Sequence, residues 1–150
     1  MLRISKLTDY ATVLLATMVS DERACLPASQ LAEASGLELP TVAKVMKTLA
    51  RGGIVESVRG VHGGYRLVDE PTDISVAAIV RAMEGPIALT ECSLESGLCI
   101  HESECHLRGN WQRIGQAVEQ ALEQLTLADL AAPRPPRIAI RTEIIETVSG

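Results

Sequence analysis

Residues 54–68 read I-V-E-S-V-R-G-V-H-G-G-Y-R-L-V, and this stretch decides the fold. Ile54 to Arg59 alternates apolar and polar side chains, as a half-buried strand does. Gly60-Val61-His62-Gly63-Gly64 reads as a turn, and Tyr65 to Val68 as a second strand. The segment is therefore expected to be a β-hairpin. Arg59 stands where the first strand meets the turn, and an arginine there suits a narrow minor groove, where the potential of DNA is most negative. The glycines allow the turn backbone to approach a phosphate closely.

What precedes the hairpin gives it meaning. A helix is expected from Pro40, in the first turn where proline is tolerated, to about Arg51, with Gly52-Gly53 ending it. Val42, Val45, Met46 and Leu49 fall at i, i+3, i+4 and i+7, an inward stripe. Thr41, Lys44, Lys47 and Thr48 face away. A shorter helix, Ser29 to Ala34, is opened by Pro27 and stopped by Ser35-Gly36, with Leu31 and Ala32 inward. By themselves the two helices fit a helix-turn-helix and a plain helical hairpin with a solvated basic face equally well. A β-hairpin directly after the second helix breaks the tie, because that is the winged-helix order. A first helix carries Tyr10, Val13, Leu14 and Thr17-Met18, with Thr8 or Asp9 as its cap, and ends near residues 20–22. Cys25, just beyond it, reads as a small buried hydrophobe.

Downstream, Ser75 to Met83 forms a fourth helix with Val76, Ile79, Val80 and Met83 inward, closed by Gly85-Pro86. A long helix is expected from about Leu107 to Leu127. Its Trp111, Ile114, Val118, Ala121 and Leu125 step by three, four, three and four, a narrow seam of period 3.5. A 20-residue helix reaches about 30 Å, more than a small winged helix needs as cover, so the seam is expected to hold a homodimer. The fold class is mainly α with a small β-hairpin: a winged helix-turn-helix domain plus a long dimerisation helix. The expected division is a DNA-binding domain over residues 1–84, a cysteine-rich cluster-binding loop over 85–106, the dimerisation helix over 107–130, and a tail over 131–150. Pro133, Pro135 and Pro136 mark that tail as extended or disordered.

The loop reads E-C-S-L-E-S-G-L-C-I-H-E-S-E-C-H from Glu91 to His106. It holds three of the four cysteines, Cys92, Cys99 and Cys105, with His101 and His106 beside them. Its large aliphatics are only Leu94, Leu98 and Ile100, and it shows neither a helical nor a strand period. A segment with so little to bury needs another means of holding itself, and thiolate and imidazole ligands make a metal centre the leading candidate.

Composition narrows the classes. The chain is 47% hydrophobic with no Phe, so its core is aliphatic. The net charge of −5 excludes a uniformly basic nucleic-acid binder. Yet residues 41–66 hold Lys44, Lys47, Arg51, Arg59 and Arg66 against Glu56 alone. A local basic face suffices, since only the contacting surface releases counterions. The N-terminus lacks a secretory pattern, and the apolar run from Ala11 to Val19 is too short to span a membrane. A cytoplasmic location is expected, and there cysteines act as metal ligands or redox thiols more often than as structural disulfides. No nucleophile–base pair or phosphate-binding glycine loop is visible, so an enzyme is not expected.

The L-T-D-Y-A near the N-terminus, the S-V-R-G-V-H-G-G-Y-R-L wing, the I-V-R-A-M-E-G helix, the three cysteines and the T-L-A-D-L close of the long helix together carry a family likeness. The chain resembles the winged-helix transcription regulators that include the iron–sulfur regulator IscR and the nitric-oxide sensor NsrR, over about residues 1–130. The resemblance implies a repressor that binds double-stranded DNA at a palindromic promoter as a homodimer. It also implies an iron–sulfur cluster, [2Fe–2S] or else [4Fe–4S], on Cys92, Cys99 and Cys105, and control of iron–sulfur assembly genes, as in regulators of the SUF operon. Carried over by position, Glu38, Pro40, Thr41 and Lys44 are the candidate base- or backbone-contacting residues of the recognition helix, and Arg59 is the candidate minor-groove residue. Lys47, on the outward basic face, is expected to add a salt-dependent phosphate contact. The chain departs from the family pattern in two places. Six residues, not five, separate Cys92 from Cys99. Arg108 stands where some members have a histidine ligand, three positions after the third cysteine. The fourth ligand thus lies among His106, His101 and Asp9, the last matching an acidic ligand that other members take from the partner's first helix.

Two further readings stand beside the cluster sensor. One is a cluster-free winged-helix regulator that senses oxidants by thiol–disulfide chemistry. The other is a zinc-stabilised protein–protein adaptor.

Overall fold

The computed structural model describes residues 3–90 and 107–133. Helix α1 spans Lys6–Ser20, α2 Ala28–Ser35 and α3 Leu39–Arg51, and strands β1 Val55–Val58 and β2 Gly64–Leu67 follow. Then come α4 Val76–Glu84, α5 Arg108–Glu123 and α6 Leu127–Ala131. The expected mainly helical fold with one hairpin is what forms.

Each element follows from local chemistry. Ser5 caps α1, its hydroxyl accepting from the Thr8 N–H, one turn earlier than the Thr8 or Asp9 cap expected from sequence. Ala11, Leu14, Leu15 and Met18 form the buried stripe of α1. Gly36 at φ 70° ends α2 in the left-handed conformation that favours glycine. The four apolar positions of α3, Val42, Val45, Met46 and Leu49, are all buried. They meet Leu14, Leu15, Leu31, Ile54, Val55, Ile79 and Leu127 in one core.

β1 and β2 pair antiparallel, Val55 with Leu67 through Val58 with Gly64. Leu26, between α1 and α2, adds a single bridging residue on the far side of Tyr65. Beside it, Cys25 is half-buried rather than fully buried.

The expected long helix is broken. α5 stops at Glu123, and Thr126 opens α6 with a capping box: its hydroxyl takes the Asp129 N–H while the Asp129 carboxylate takes the Thr126 N–H. The break is stapled to the start of α4. The Val76 N–H donates to the Leu125 carbonyl and the Leu127 N–H to the Ile74 carbonyl, both at 2.8 Å, and Ala128 donates to Pro71 at 3.0 Å. Leu127 is fully buried; emptying such a site by Leu→Ala costs about 2–5 kcal/mol. α5 leans on α4 through Arg81, which pairs with Glu119 and, at 2.6 Å, with Glu123. The Ser75 hydroxyl and Arg81 hold the Glu123 carboxyl below its ordinary range. On the other side of α5, Trp111 and Ile114 are 41% and 46% exposed, Ala121 is exposed, and Val118 and Leu125 are half-buried.

Candidate nucleic-acid interface

The inward stripe of α3 fixes what its outer face must be. Pro40, Ala43, Lys44, Lys47 and Arg51 are all exposed, and at 3.6 residues per turn they share one side. Glu38 is the N-cap residue and is exposed; its side chain makes no capping hydrogen bond, so its carboxylate can accept from a base edge. Two expected outward residues differ. Thr41 is half-buried, and Thr48 is half-buried with its hydroxyl turned back onto the Lys44 carbonyl at 3.1 Å.

The wing lies beyond β1. Arg59 is exposed. Gly60 sits at φ 114°, and the Gly63 N–H returns to its carbonyl at 3.0 Å, closing the turn. Val61 stands at the tip with 98% of its surface exposed. An apolar side chain held out in this way can meet a thymine methyl or the wall of a groove. Leu39, at the start of α3, is 48% exposed. Neither residue was singled out in the sequence, where a valine in a turn and a leucine near a proline look like ordinary filler. For Val61 the detectable signal was an apolar residue set in a glycine-rich turn; Leu39 offered none.

Charge favours this face. Glu56, the one acid among residues 41–66, stands directly across from Arg66 and pairs with it. Lys44, Lys47, Arg51 and Arg59 take part in none of the ion pairs among the described residues, so their charge is available to a polyanion.

The other expected site residues divide. Asp9 lies exposed in the first turn of α1, in a shallow cleft lined by Arg3, Ile4, Ser5, Lys6 and Thr12. Cys92, Cys99, His101, Cys105 and His106 lie outside the described residues. Among the described residues there is no group of three or more His, Cys, Asp or Glu side chains able to hold a metal ion, and no helix is long and apolar enough to cross a membrane.

A helix-turn-helix whose second helix presents cations, followed by a hairpin with an arginine at its turn, defines a winged-helix DNA-binding protein. The chain belongs to the Rrf2 family: the family model described as "Iron-dependent Transcriptional regulator" matches residues 4–133. It is 30% identical to the transcriptional regulator NsrR of Shouchella clausii over 86% of this chain and 88% of that protein. Among solved structures it is similar to CymR, the global cysteine regulator of B. subtilis, with 31% identity, a TM-score of 0.67, and 87% of this chain and 97% of the other covered. It is also similar to T. potens IscR, with 27% identity, a TM-score of 0.62, and coverage of 86% and 85%. These relatives are transcriptional regulators, and so is this chain by family.

Proposed function

We propose that this regulator is a cytoplasmic, homodimeric repressor whose operator binding answers to an iron–sulfur cluster on Cys92, Cys99 and Cys105, and that it controls iron–sulfur assembly genes. The observation that carries the proposal is the donor set. Three thiols fall within fourteen residues, 92–105, directly after the winged-helix domain, in a chain whose family model is described as iron-dependent. Soft thiolates fit an iron–sulfur core. His106 beside Cys105, or Asp9 from a partner's α1, supplies a harder fourth donor that exchanges more readily. When bound, such a cluster supplies a centre whose assembly and loss follow iron, sulfide and oxidant supply. The protein's own part is to hold that centre and to present the α3 face and Arg59 to DNA. The exposed Trp111–Ile114–Ala121 stripe on α5 supports a symmetric dimer on a palindromic site. The cysteine-rich loop is taken as residues 85–106, between a DNA-binding unit at 1–84 and a dimerisation helix at 107–130.

The test is anaerobic reconstitution with iron and sulfide, followed by counting both per protomer and measuring operator binding with and without them. A visible absorption band, stoichiometric sulfide and changed operator affinity are expected. Zinc uptake with no sulfide would overturn the cluster. The likeness to a global cysteine regulator favours one second reading, in which the same thiols act by oxidation without metal. Its mark is peroxide-dependent DNA binding in metal-free protein.

A further inference from the structure

Thr8 is the one fully buried polar side chain among the described residues, and its partner is Glu84. The Thr8 hydroxyl donates to Glu84 Oε1. The Ser5 backbone N–H donates to the same oxygen at 2.9 Å. Because Thr8 gives its single proton to Glu84, the Ser5 hydroxyl 3.1 Å away must donate into Thr8 Oγ1. The Ser5 hydroxyl in turn accepts from the Thr8 N–H at 3.3 Å. One carboxylate thus ends a short chain of charge-assisted hydrogen bonds, which polarise one another.

The two ends of this chain are far apart in sequence and different in kind. Glu84 is the last residue of α4, and Gly85 follows at φ 89°, a turn that suits glycine; in sequence the cysteine-rich segment comes next. Ser5 is the N-cap of α1, and Thr8 stands in its first turn beside Asp9. α1 packs on α2, α3, α4 and α6, so a displacement of its first turn reaches the elements that carry the recognition helix.

We propose that Glu84 is a positioning residue that links the exit of α4, where the cysteine segment begins, to the first turn of α1 through Ser5 and Thr8, and so carries the state of that segment to the DNA-binding core. The link rests on the reading of the cysteine segment as the sensor. It is a different claim from a helix cap that only stabilises α1, because it concerns a difference between two states.

The experiment uses the full chain. Amide hydrogen exchange over residues 3–12 is measured before and after anaerobic loading with ferrous iron and sulfide, and in metal-free protein before and after hydrogen peroxide. In the wild type at least one probe should change exchange there by about tenfold, within the range usual for coupled sites. Glu84→Ala should lose that response while still taking up iron. Glu84→Gln, whose amide oxygen can accept the same two bonds, should restore it. Thr8→Val, which keeps the shape and removes the donor, should weaken it without removing a charge. A cap that only stabilises predicts faster exchange in both states and an unchanged ratio between them, and that result in Glu84→Ala or Thr8→Val overturns the link. If the wild type takes no iron but its peroxide response still runs through Glu84, the cluster reading falls and the link stands. If iron and sulfide bind and neither probe moves residues 3–12, the link falls and the cluster stands.

Discussion

Leu26 and Tyr65 exchange both of their backbone hydrogen bonds, the Leu26 N–H donating at 2.9 Å and the Tyr65 N–H at 2.8 Å. β2 therefore lies between β1 and a one-residue bridge to Leu26, and the wing is not a free hairpin. Gly64, just before Tyr65, lies so close to the Leu26 carbonyl and the Pro27 nitrogen that a Cβ there would collide with both. With the base of the wing fixed in this way, the position of its tip relative to α3 is set by the core.

That fixed position makes Arg59 the first target. It is exposed and takes part in none of the ion pairs among the described residues. We predict that Arg59→Ala weakens operator binding by about 1–3 kcal/mol, with iron content unchanged. Equal affinities for variant and wild type in a titration at one salt concentration would remove Arg59 from the interface.

Lys47 should act through phosphate. Its replacement by alanine should lower the slope of log K against log salt by about one and weaken binding alike on operator and random DNA. A slope equal to that of the wild type assigns Lys47 to solvent.

The exposed face of α5 gives a test of assembly. Ile114 is exposed and stands outside the buried core of the described residues, so Ile114→Glu leaves that core intact, whereas at a dimer seam it buries an unpaired charge. Sedimentation should show a folded monomer with poor operator binding. A stable Ile114→Glu dimer would place the seam elsewhere. Val118, central in the sequence pattern, is half-buried and makes a less clean probe.

Iron should separate the cysteines. Alanine at Cys92, Cys99 or Cys105 should leave almost no iron and sulfide after reconstitution, since two thiolates do not hold the core against solvent, while Cys25→Ala should load fully. His106→Ala and Asp9→Ala should assemble a cluster that is lost faster in air. Loading of Cys99→Ala combined with failure of Cys25→Ala would reverse the ligand assignment.

Acid should weaken the Glu84 node in a definite direction. The Thr8 hydroxyl, then Ser5, hold the Glu84 carboxyl below its ordinary value of 4.5. A carboxyl depressed in the folded state contributes stability that is fully present above the unfolded value and is lost as pH falls through the folded one. Glu84→Gln should therefore have a lower Tm than the wild type near neutrality, and the gap should close as pH falls below about 4.5. Glu84 is exposed and solvent-screened, so the gap is modest. A gap that widens in acid would contradict the hydrogen-bonded carboxylate.

How far the chain could be read beforehand depended on the range of the forces involved. Val42, Val45, Met46 and Leu49 declare their burial by spacing alone, and all four are buried. The glycines of the wing declare a turn. Leu26 gives no such sign, because a one-residue bridge has no period. The early start of α1 is set by the Ser5 cap, but the bond that buries the Thr8 hydroxyl goes to Glu84, 76 positions away, which local reading does not reach. The end of α5 was legible in principle. Thr126-Leu-Ala-Asp129 is a capping box, masked by an apolar period that runs on to Leu125. For the metal ligands, sequence remains the source, since the three expected thiols lie outside the described residues.

The stapled break at residues 124–126 has a geometric consequence for DNA. A helix turns by about 100° and advances by about 1.5 Å per residue. One residue added to the last turn of α5, before Gln124, would swing the Trp111–Ile114 stripe by about 100° around the axis of α5, while the bonds from Leu127 and Ala128 to Ile74 and Pro71 kept α6 on the core. In a dimer joined along that stripe, the two wings would then face DNA at a new phase. In such a dimer, Gln124, Leu125 and Thr126 would set how many base pairs separate the two half-sites.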